Sequence, residues 1–295
     1  MIAVVIAGLA LGACSSSSKT SSSDTTPTTT TPAAPKAPPK VTITAHDFSY
    51  DAPATIPSGY VEVTLVNKGK EGHQLGFVKL GSMTFAEFKA AANTTNLKAT
   101  KPDTVFLGGP NGAEPGASTS ALVKLDPGAY AIVCFIPANS DGKPHAEHGM
   151  IKAVTVAKTA ESDEVAPTAA STITLGEFSF TLPAKFDGKG LVDVSNQGQQ
   201  VHELVILKLN PGKTLDDAKG FLLIPPGTPP PAGPPPFTAV PGLGGITGIS
   251  SGRNAWLDMN LAAGNYVLFC FFPDTSTPAM LPHALKGMTK EFTIS

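Results

Sequence analysis

Apolar and polar residues alternate along much of this chain with the two-residue period of strands buried on one face. Between Tyr60 and Leu65 the apolar Val61, Val63 and Leu65 interleave with Tyr60, Glu62 and Thr64. Turn residues punctuate the runs at Pro57-Ser-Gly59, Asp126-Pro-Gly128 and Ala263-Gly264. Helical signals are few and short. Thr84 stands three residues before Glu87 and ahead of Phe88-Lys-Ala-Ala, and Thr214 stands three before Asp217. Both read as capping boxes that open one short helix each, near residues 84–92 and 214–220. Several short strands with a helix inserted midway predict an all-β fold of the Greek-key β-sandwich kind.

The pattern occurs twice. His46-Asp-Phe48-Ser-Tyr50 aligns with Gly176-Glu-Phe178-Ser-Phe180, and Asn67-Lys-Gly69 with Asn196-Gln-Gly198. Leu125-Asp-Pro-Gly128-Ala-Tyr130 leads to Cys134 as Leu261-Ala-Ala-Gly264-Asn-Tyr266 leads to Cys270. Two tandem domains are therefore expected, at 41–158 and 172–295, joined by a linker at 159–171. A Pro-rich insertion at 222–243 interrupts the second and reads as a stiff surface loop of polyproline II character.

Ahead of the repeats lies different material. Residues 1–13 are almost wholly apolar and end in Leu11-Gly12-Ala13-Cys14, which resembles a bacterial lipobox. The run is too short for a comfortable membrane span and reads as a signal segment, 1–14, with Cys14 the lipidated residue. No Lys or Arg precedes it, so a start codon upstream of Met1 is expected. Residues 15–40 are Ser, Thr, Pro, Ala and scattered Lys, too poor in apolar surface to offset the entropy of ordering, and read as a disordered tether. The expected location is outside the cell, lipid-anchored to the outer face of the cytoplasmic membrane.

Net charge is −2 over 295 residues and no basic stripe is present, so no nucleic-acid partner is expected. With Cys14 assigned to lipid, only Cys134 and Cys270 remain, each at the same place in its repeat. Joining them in a disulfide would require the two equivalent sites to touch. Thiols kept in an exported protein are better explained as metal ligands.

The candidate ligands recur in register. His73, Cys134, His145 and Met150 in the first half match His202, Cys270, His283 and Met288 in the second, with His to Met spaced by five residues in both. Two imidazoles, one thiolate and a weak thioether are the ligand set of a type 1 copper centre. Any one buried Cys is more often a small core residue and any one Met a core filler; the matched recurrence of all four types favours ligation. His46 and His148 are not repeated and read as surface residues. Met280 aligns with Gly142 and is set aside as an axial ligand.

Each half resembles a cupredoxin, the fold of plastocyanin and azurin, through an Asn-x-Gly-x-x-x-His turn, a Gly-x-Tyr strand running into Cys, and a loop carrying His and Met. The resemblance implies one His from an early strand end and the other three ligands from a single loop. That loop holds 10 residues between Cys134 and His145 and 12 between Cys270 and His283, longer than in the small members. Where the family often has Asn after the first His, this chain has Gln74 and Glu203.

The expected function is a copper-binding, surface-anchored electron carrier with up to two copper ions. The alternatives are a copper capture or delivery lipoprotein and a metal-free interaction module. A redox or copper-exchange protein is the expected partner, with the membrane reached through the lipid. An enzyme of the two-domain nitrite reductase or multicopper oxidase kind is not expected, because only His46 and His148 remain for a second copper type once the ligands are assigned.

Overall fold

A computed structural model describes residues 37–94, 96–162, 164–224, 228 and 231–295. The signal segment with Cys14, nearly all of the tether, and Pro225, Pro226, Gly227, Pro229 and Pro230 of the insertion lie outside the described residues. The first half runs β1 (Lys40–His46), β2 (Ser49–Asp51), β3 (Thr55–Pro57), β4 (Gly59–Asn67), β5 (Gly76–Lys79), α1 (Phe85–Asn93), β6 (Val105–Phe106), β7 (Ser118–Leu125), β8 (Gly128–Val133) and β9 (Ile151–Ala157). The second runs β10 (Ser171–Gly176), β11 (Ser179–Thr181), β12 (Lys189–Asn196), β13 (His202–Leu209), α2 (Leu215–Leu222), β14 (Phe237–Ala239), β15 (Gly245–Ile249), β16 (Asn254–Asn260), β17 (Gly264–Phe269) and β18 (Thr289–Ile294).

The alternation read in β4 is the alternation of burial: Val61, Val63 and Leu65 have no exposure while Tyr60, Glu62 and Thr64 face outward in part. Burying each such side chain contributes about 1.5–3 kcal/mol. Both helices begin as expected. Thr84 accepts from Glu87 N and Glu87 reaches back to Thr84 N, and Thr214 and Asp217 repeat the arrangement. The Tyr of each Gly-x-Tyr motif is a structural fixture. Tyr130 and Tyr266 are buried, and each hydroxyl donates at 2.7 Å to a carbonyl four residues upstream, on Asp126 and Ala262.

Each half packs two sheets. In the first sheet β1 runs parallel to β4 and antiparallel to β2, with β4 antiparallel to β7; β10, β12, β11 and β16 repeat this. The second sheet pairs β5 with β8 and β8 with β9, as β13 pairs with β17 and β17 with β18. These second sheets end in the metal-candidate loops.

The halves do not stand apart. β7 pairs antiparallel with β16, Val123 opposite Ala255 and Leu122 opposite Trp256, which fuses the two first sheets into one of eight strands. Trp256 meets Tyr60 edge-on across this seam at 5.4 Å. A second seam pairs Pro110 with Ile246 and Leu107 with Ile249, supported by Thr247 N to Gly109 O at 3.0 Å and Gly108 N to Gly248 O at 2.9 Å. Glycines permit the close approach: a Cβ on Gly244 would lie 1.7 Å from Asn111 O, and one on Gly108 2.9 Å from Ile246 Cγ2. One apolar cluster runs through both halves, and Lys36–Ser295 form one compact unit. Among the described residues no helix is long and apolar enough to cross a membrane.

Candidate metal centres

The first His of each half is set by a turn that a buried Asn organises. Asn67 donates to Glu71 O at 2.7 Å and Ala113 O at 2.8 Å, and its Oδ1 accepts Gly69 N at 2.7 Å. Asn196 does the same to Gln200 O and Ile249 O, with Gly198 N as donor. The Gly of the motif keeps room for the ring behind it: a Cβ on Gly69 would stand 2.6 Å from His73 Nε2, and one on Gly198 2.5 Å from His202 Nε2.

The remaining candidates come from the β8–β9 and β17–β18 loops. His145 N donates to Ile136 O, Ala146 N to Cys134 O, Met150 N to His145 O at 2.9 Å and Cys134 N to Met150 O at 3.1 Å. The second loop repeats this with His283 N to Phe272 O, Ala284 N to Cys270 O, Met288 N to His283 O and Cys270 N to Met288 O. Pro137 pairs with Pro144, and Pro273 with Pro282, so the extra residues of both loops are pinched off beyond a closed neck. The greater loop length leaves the candidates close together.

All eight candidates have no exposed surface. The structure brings three of each set to a point, since the donor atoms of His73, Cys134 and His145, and of His202, Cys270 and His283, lie within 4.8 Å of one another. His73 Nδ1 and His145 Nδ1 are 3.1 Å apart and Cys134 Sγ is 3.4 Å from His145 Nδ1. In the second half the matching distances are 2.9 Å and 3.4 Å. Met150 and Met288 are buried within the same loops, tied by backbone to the His and Cys beside them.

Hydrogen bonds fix the tautomers in the first half. His73 Nε2 lies 2.9 Å from Asp47 Oδ1 and His145 Nε2 lies 3.2 Å from Glu71 Oε2. A carboxylate only accepts, so each Nε2 carries the proton and each Nδ1 turns its lone pair inward. Burial disfavours the charged imidazole, lowering the pKa of His145, of His202 and of His283, the last to about 4. Two inward lone pairs and a sulfur at these distances repel unless a cation stands among them. Metal–nitrogen bonds of about 2 Å separate neighbouring donor atoms by a little over 3 Å, so the cluster fits a bound metal ion. Burial also pushes the Cys134 thiol up to about 12 and Cys270 well above its ordinary value. A thiolate in so dry a place needs a cation beside it.

The two clusters differ around the sulfur and behind the rings. Cys134 Sγ accepts from Gln74 N at 3.5 Å and lies against the Tyr50 hydroxyl, whose proton is directed to Gln74 O. Cys270 Sγ accepts from Glu203 N at 3.3 Å, Phe180 stands where the first half has Tyr50, and the buried Glu203 carboxylate adds negative charge nearby. Burial pushes Glu203 up to about 7 against the pull of Phe271 N and the Asn111 amide. Glu177 Oε2 is 3.6 Å from His202 Nε2, and neither His202 Nε2 nor His283 Nε2 has a hydrogen-bond partner among the described residues.

His46 and His148 lie outside both clusters, paired with Asp51 at 3.2 Å and Asp141 at 3.1 Å. Sequence reasoning did not single out Asp47, Glu71, Glu177 or the aromatic lids Phe48 and Phe178, whose rings sit 4.7 Å from His145 and 5.0 Å from His283. The signal was present: Asp47-Phe48 and Glu177-Phe178 are aligned in the repeat, an acid and an aromatic kept in step.

No protein-family model and no curated protein matches the chain. Solved structures do. A dithionite-reduced auracyanin from the photosynthetic bacterium Roseiflexus castenholzii is 23% identical over 41% of this chain and 99% of its own, with a TM-score of 0.29. Auracyanin A, a blue copper protein from the green thermophilic photosynthetic bacterium Chloroflexus aurantiacus, is 14% identical over 41% of this chain and all of its own, TM-score 0.29. A multicopper oxidase is 14% identical over 87% of this chain and 88% of its own, TM-score 0.23. The fold is all-β and cupredoxin-like. The exclusion of an enzyme is corrected here, because a structure spanning both halves of this chain is an oxidase. The His count behind that exclusion covers ligands within a single chain and says nothing of other arrangements.

Proposed function

We propose that the chain is a copper-binding electron-transfer protein with one type 1 centre in each half. His73, Cys134 and His145 hold the first ion with Met150 as weak axial ligand; His202, Cys270, His283 and Met288 hold the second. The observation that carries the reading is the convergence of two imidazole Nδ1 atoms and one sulfur in a dry pocket, made twice. Bound copper supplies a one-electron couple whose two states share a similar coordination. The protein's part is to keep the imidazoles neutral, exclude water and hold the donor atoms in place. Adding Cu(II) to the metal-free protein should bind two ions per chain and raise an intense thiolate-to-copper band. Absence of both copper and band would end the proposal.

Differences around the sulfurs should make the two potentials unlike. Donors to a thiolate draw charge from the metal and favour the reduced ion, while a nearby carboxylate favours the oxidised one. Both sulfurs accept a backbone N–H and both centres have carboxylates nearby, so the difference tested is the Tyr50 hydroxyl beside Cys134, which the second centre lacks. Tyr50→Phe is expected to lower the first potential with copper still bound. An unchanged potential in redox titration would remove the hydroxyl from the account.

We further propose export and lipidation at Cys14, which anchors the copper domains at the outer face of the cytoplasmic membrane within reach of a redox protein. Cys14→Ser should move the protein from the membrane fraction to the soluble one; retention in the membrane would refute lipidation.

A further inference from the structure

We infer that the two centres exchange electrons within one chain, through a hydrogen-bonded bridge in which the Asn111 side chain of the first half meets the Glu203 carboxylate of the second. The inference rests on the copper reading above and extends it from two separate carriers to one two-electron unit.

The bridge is continuous from sulfur to sulfur. Gln74 N donates to Cys134 Sγ at 3.5 Å, and the next amide, Leu75 N, donates to Pro110 O at 2.9 Å. The following residue, Asn111, extends Nδ2 to Glu203 Oε2 at 3.2 Å. Glu203 N donates to Cys270 Sγ at 3.3 Å. Bonds and hydrogen bonds thus join the two thiolates with no gap across open space. Asn111 and Glu203 are both buried, so water does not compete for their contact.

Backbone hydrogen bonds of the second seam run beside the bridge, from Asn111 N to Gly245 O and from Thr247 N to Gly109 O. A cavity of about 640 Å³ opens beside the bridge, lined in part by Gln74, Ile136, Phe271 and Pro282. Aromatic contacts cross as well, with Phe272 meeting Phe135 and Phe106 at ring-centre distances of 6.1 Å and 5.9 Å. The repeat also offers a mirrored bridge, from Thr247 (the counterpart of Asn111) to Gln74. It is not made, because Thr247 Oγ1 is buried without a hydrogen-bond partner among the described residues. Of the two side-chain bridges the repeat offers, this one is made, and Asn111 is its centre.

The step balances without a co-reactant. One electron leaves the reduced ion of one centre and reaches the oxidised ion of the other. One ion is oxidised by the electron that reduces its partner, no bond forms or breaks, and no proton moves.

The test uses the copper-loaded full chain and a fast pulse that delivers less than one electron per molecule. The two bands should then re-equilibrate at a rate independent of protein concentration. In Asn111→Leu both bands should persist while that rate falls severalfold. Asn111→Ala, which adds no bulk, serves if the leucine variant does not fold. In the metal-free protein the Asn111 side-chain amide should exchange slowly with solvent, a readout independent of copper. An unchanged rate in the variants, or an amide exchanging like an exposed one, overturns the bridge. Wild-type equilibration that scales with protein concentration overturns exchange within the chain. Failure of either band to form in the wild type would instead defeat the copper reading itself.

Discussion

Cys134→Ser is expected to remove about half of the thiolate-to-copper absorption at full copper loading, Cys270→Ser the other half, and the double change all of it. Each sulfur is the sole thiolate of its cluster, 3.4 Å from the Nδ1 of its His partner, and a hydroxyl supplies neither the charge nor the colour. The loading order sharpens the prediction. His73 and His145 are each anchored behind the ring by a carboxylate, whereas His283 Nε2 has no hydrogen-bond partner among the described residues and Glu177 stands off from His202 at 3.6 Å. Outer-shell partners of this kind are worth about 10–100-fold in metal affinity. One equivalent of copper should therefore fill the first centre preferentially, so that Cys270→Ser retains nearly all the band at that loading and Cys134→Ser depends on the weaker site. Equal filling in a stepwise titration would show that the carboxylates do not set affinity.

Gly244→Ala should destabilise the whole chain by about 3 kcal/mol, the upper range for forcing extra atoms into a packed site. The new Cβ meets the Asn111 carbonyl oxygen at 1.7 Å, backbone against backbone, so no side chain can turn aside to admit it. The strands at the second seam must part, and with them the hydrogen bonds between Gly109 and Thr247 and between Asn111 and Gly245. Because one sheet and one core serve both halves, urea unfolding should stay cooperative and shift as a unit. Gly220→Ala is the control. That glycine lies in α2 with nothing within 4 Å of a Cβ, and alanine there should stabilise by about 0.5–1 kcal/mol. Equal midpoints for the two variants would contradict the packing argument.

The parts of this molecule that depend on local order are legible in its residues. Val61, Val63 and Leu65 announce a half-buried strand because the period of a strand is fixed by its backbone. Thr84 with Glu87 announces a helix start because a capping box closes within four residues. The metal candidates stand out because their chemistry is rare and repeated. What stays hidden arises at long range. Asp47 reaches His73 across 26 residues, and Glu71 reaches His145 across 74. The pairing of β7 with β16 joins edges that each half could equally have left bare, and alternation along a strand does not say which neighbour it meets. Gly109 and Gly244 mark the second seam, at Pro110 and Ile246, yet nothing beside them in sequence sets them apart from turn glycines. The pinched necks at Pro137–Pro144 and Pro273–Pro282 show why loop length alone was a poor guide: the added residues leave the path at one point and rejoin it there.

Both seams share a property that concerns how such a chain arises. Pro110 faces Ile246, its own counterpart in the repeat, and β7 faces β16, again its counterpart. A surface that binds its own equivalent is the self-complementary contact of a two-fold dimer. Here the dimer is written into one polypeptide, and residues 159–171 take the place of diffusion. Covalent connection holds the second half at a high effective concentration and spares the translational freedom that two separate molecules lose on meeting. The join also releases the halves from identity. In a true dimer any change appears on both sides of the axis, but here Tyr50 has Phe180 as its counterpart and Gln74 has Glu203. Fusion is what permits one ancestral site to become two unlike ones.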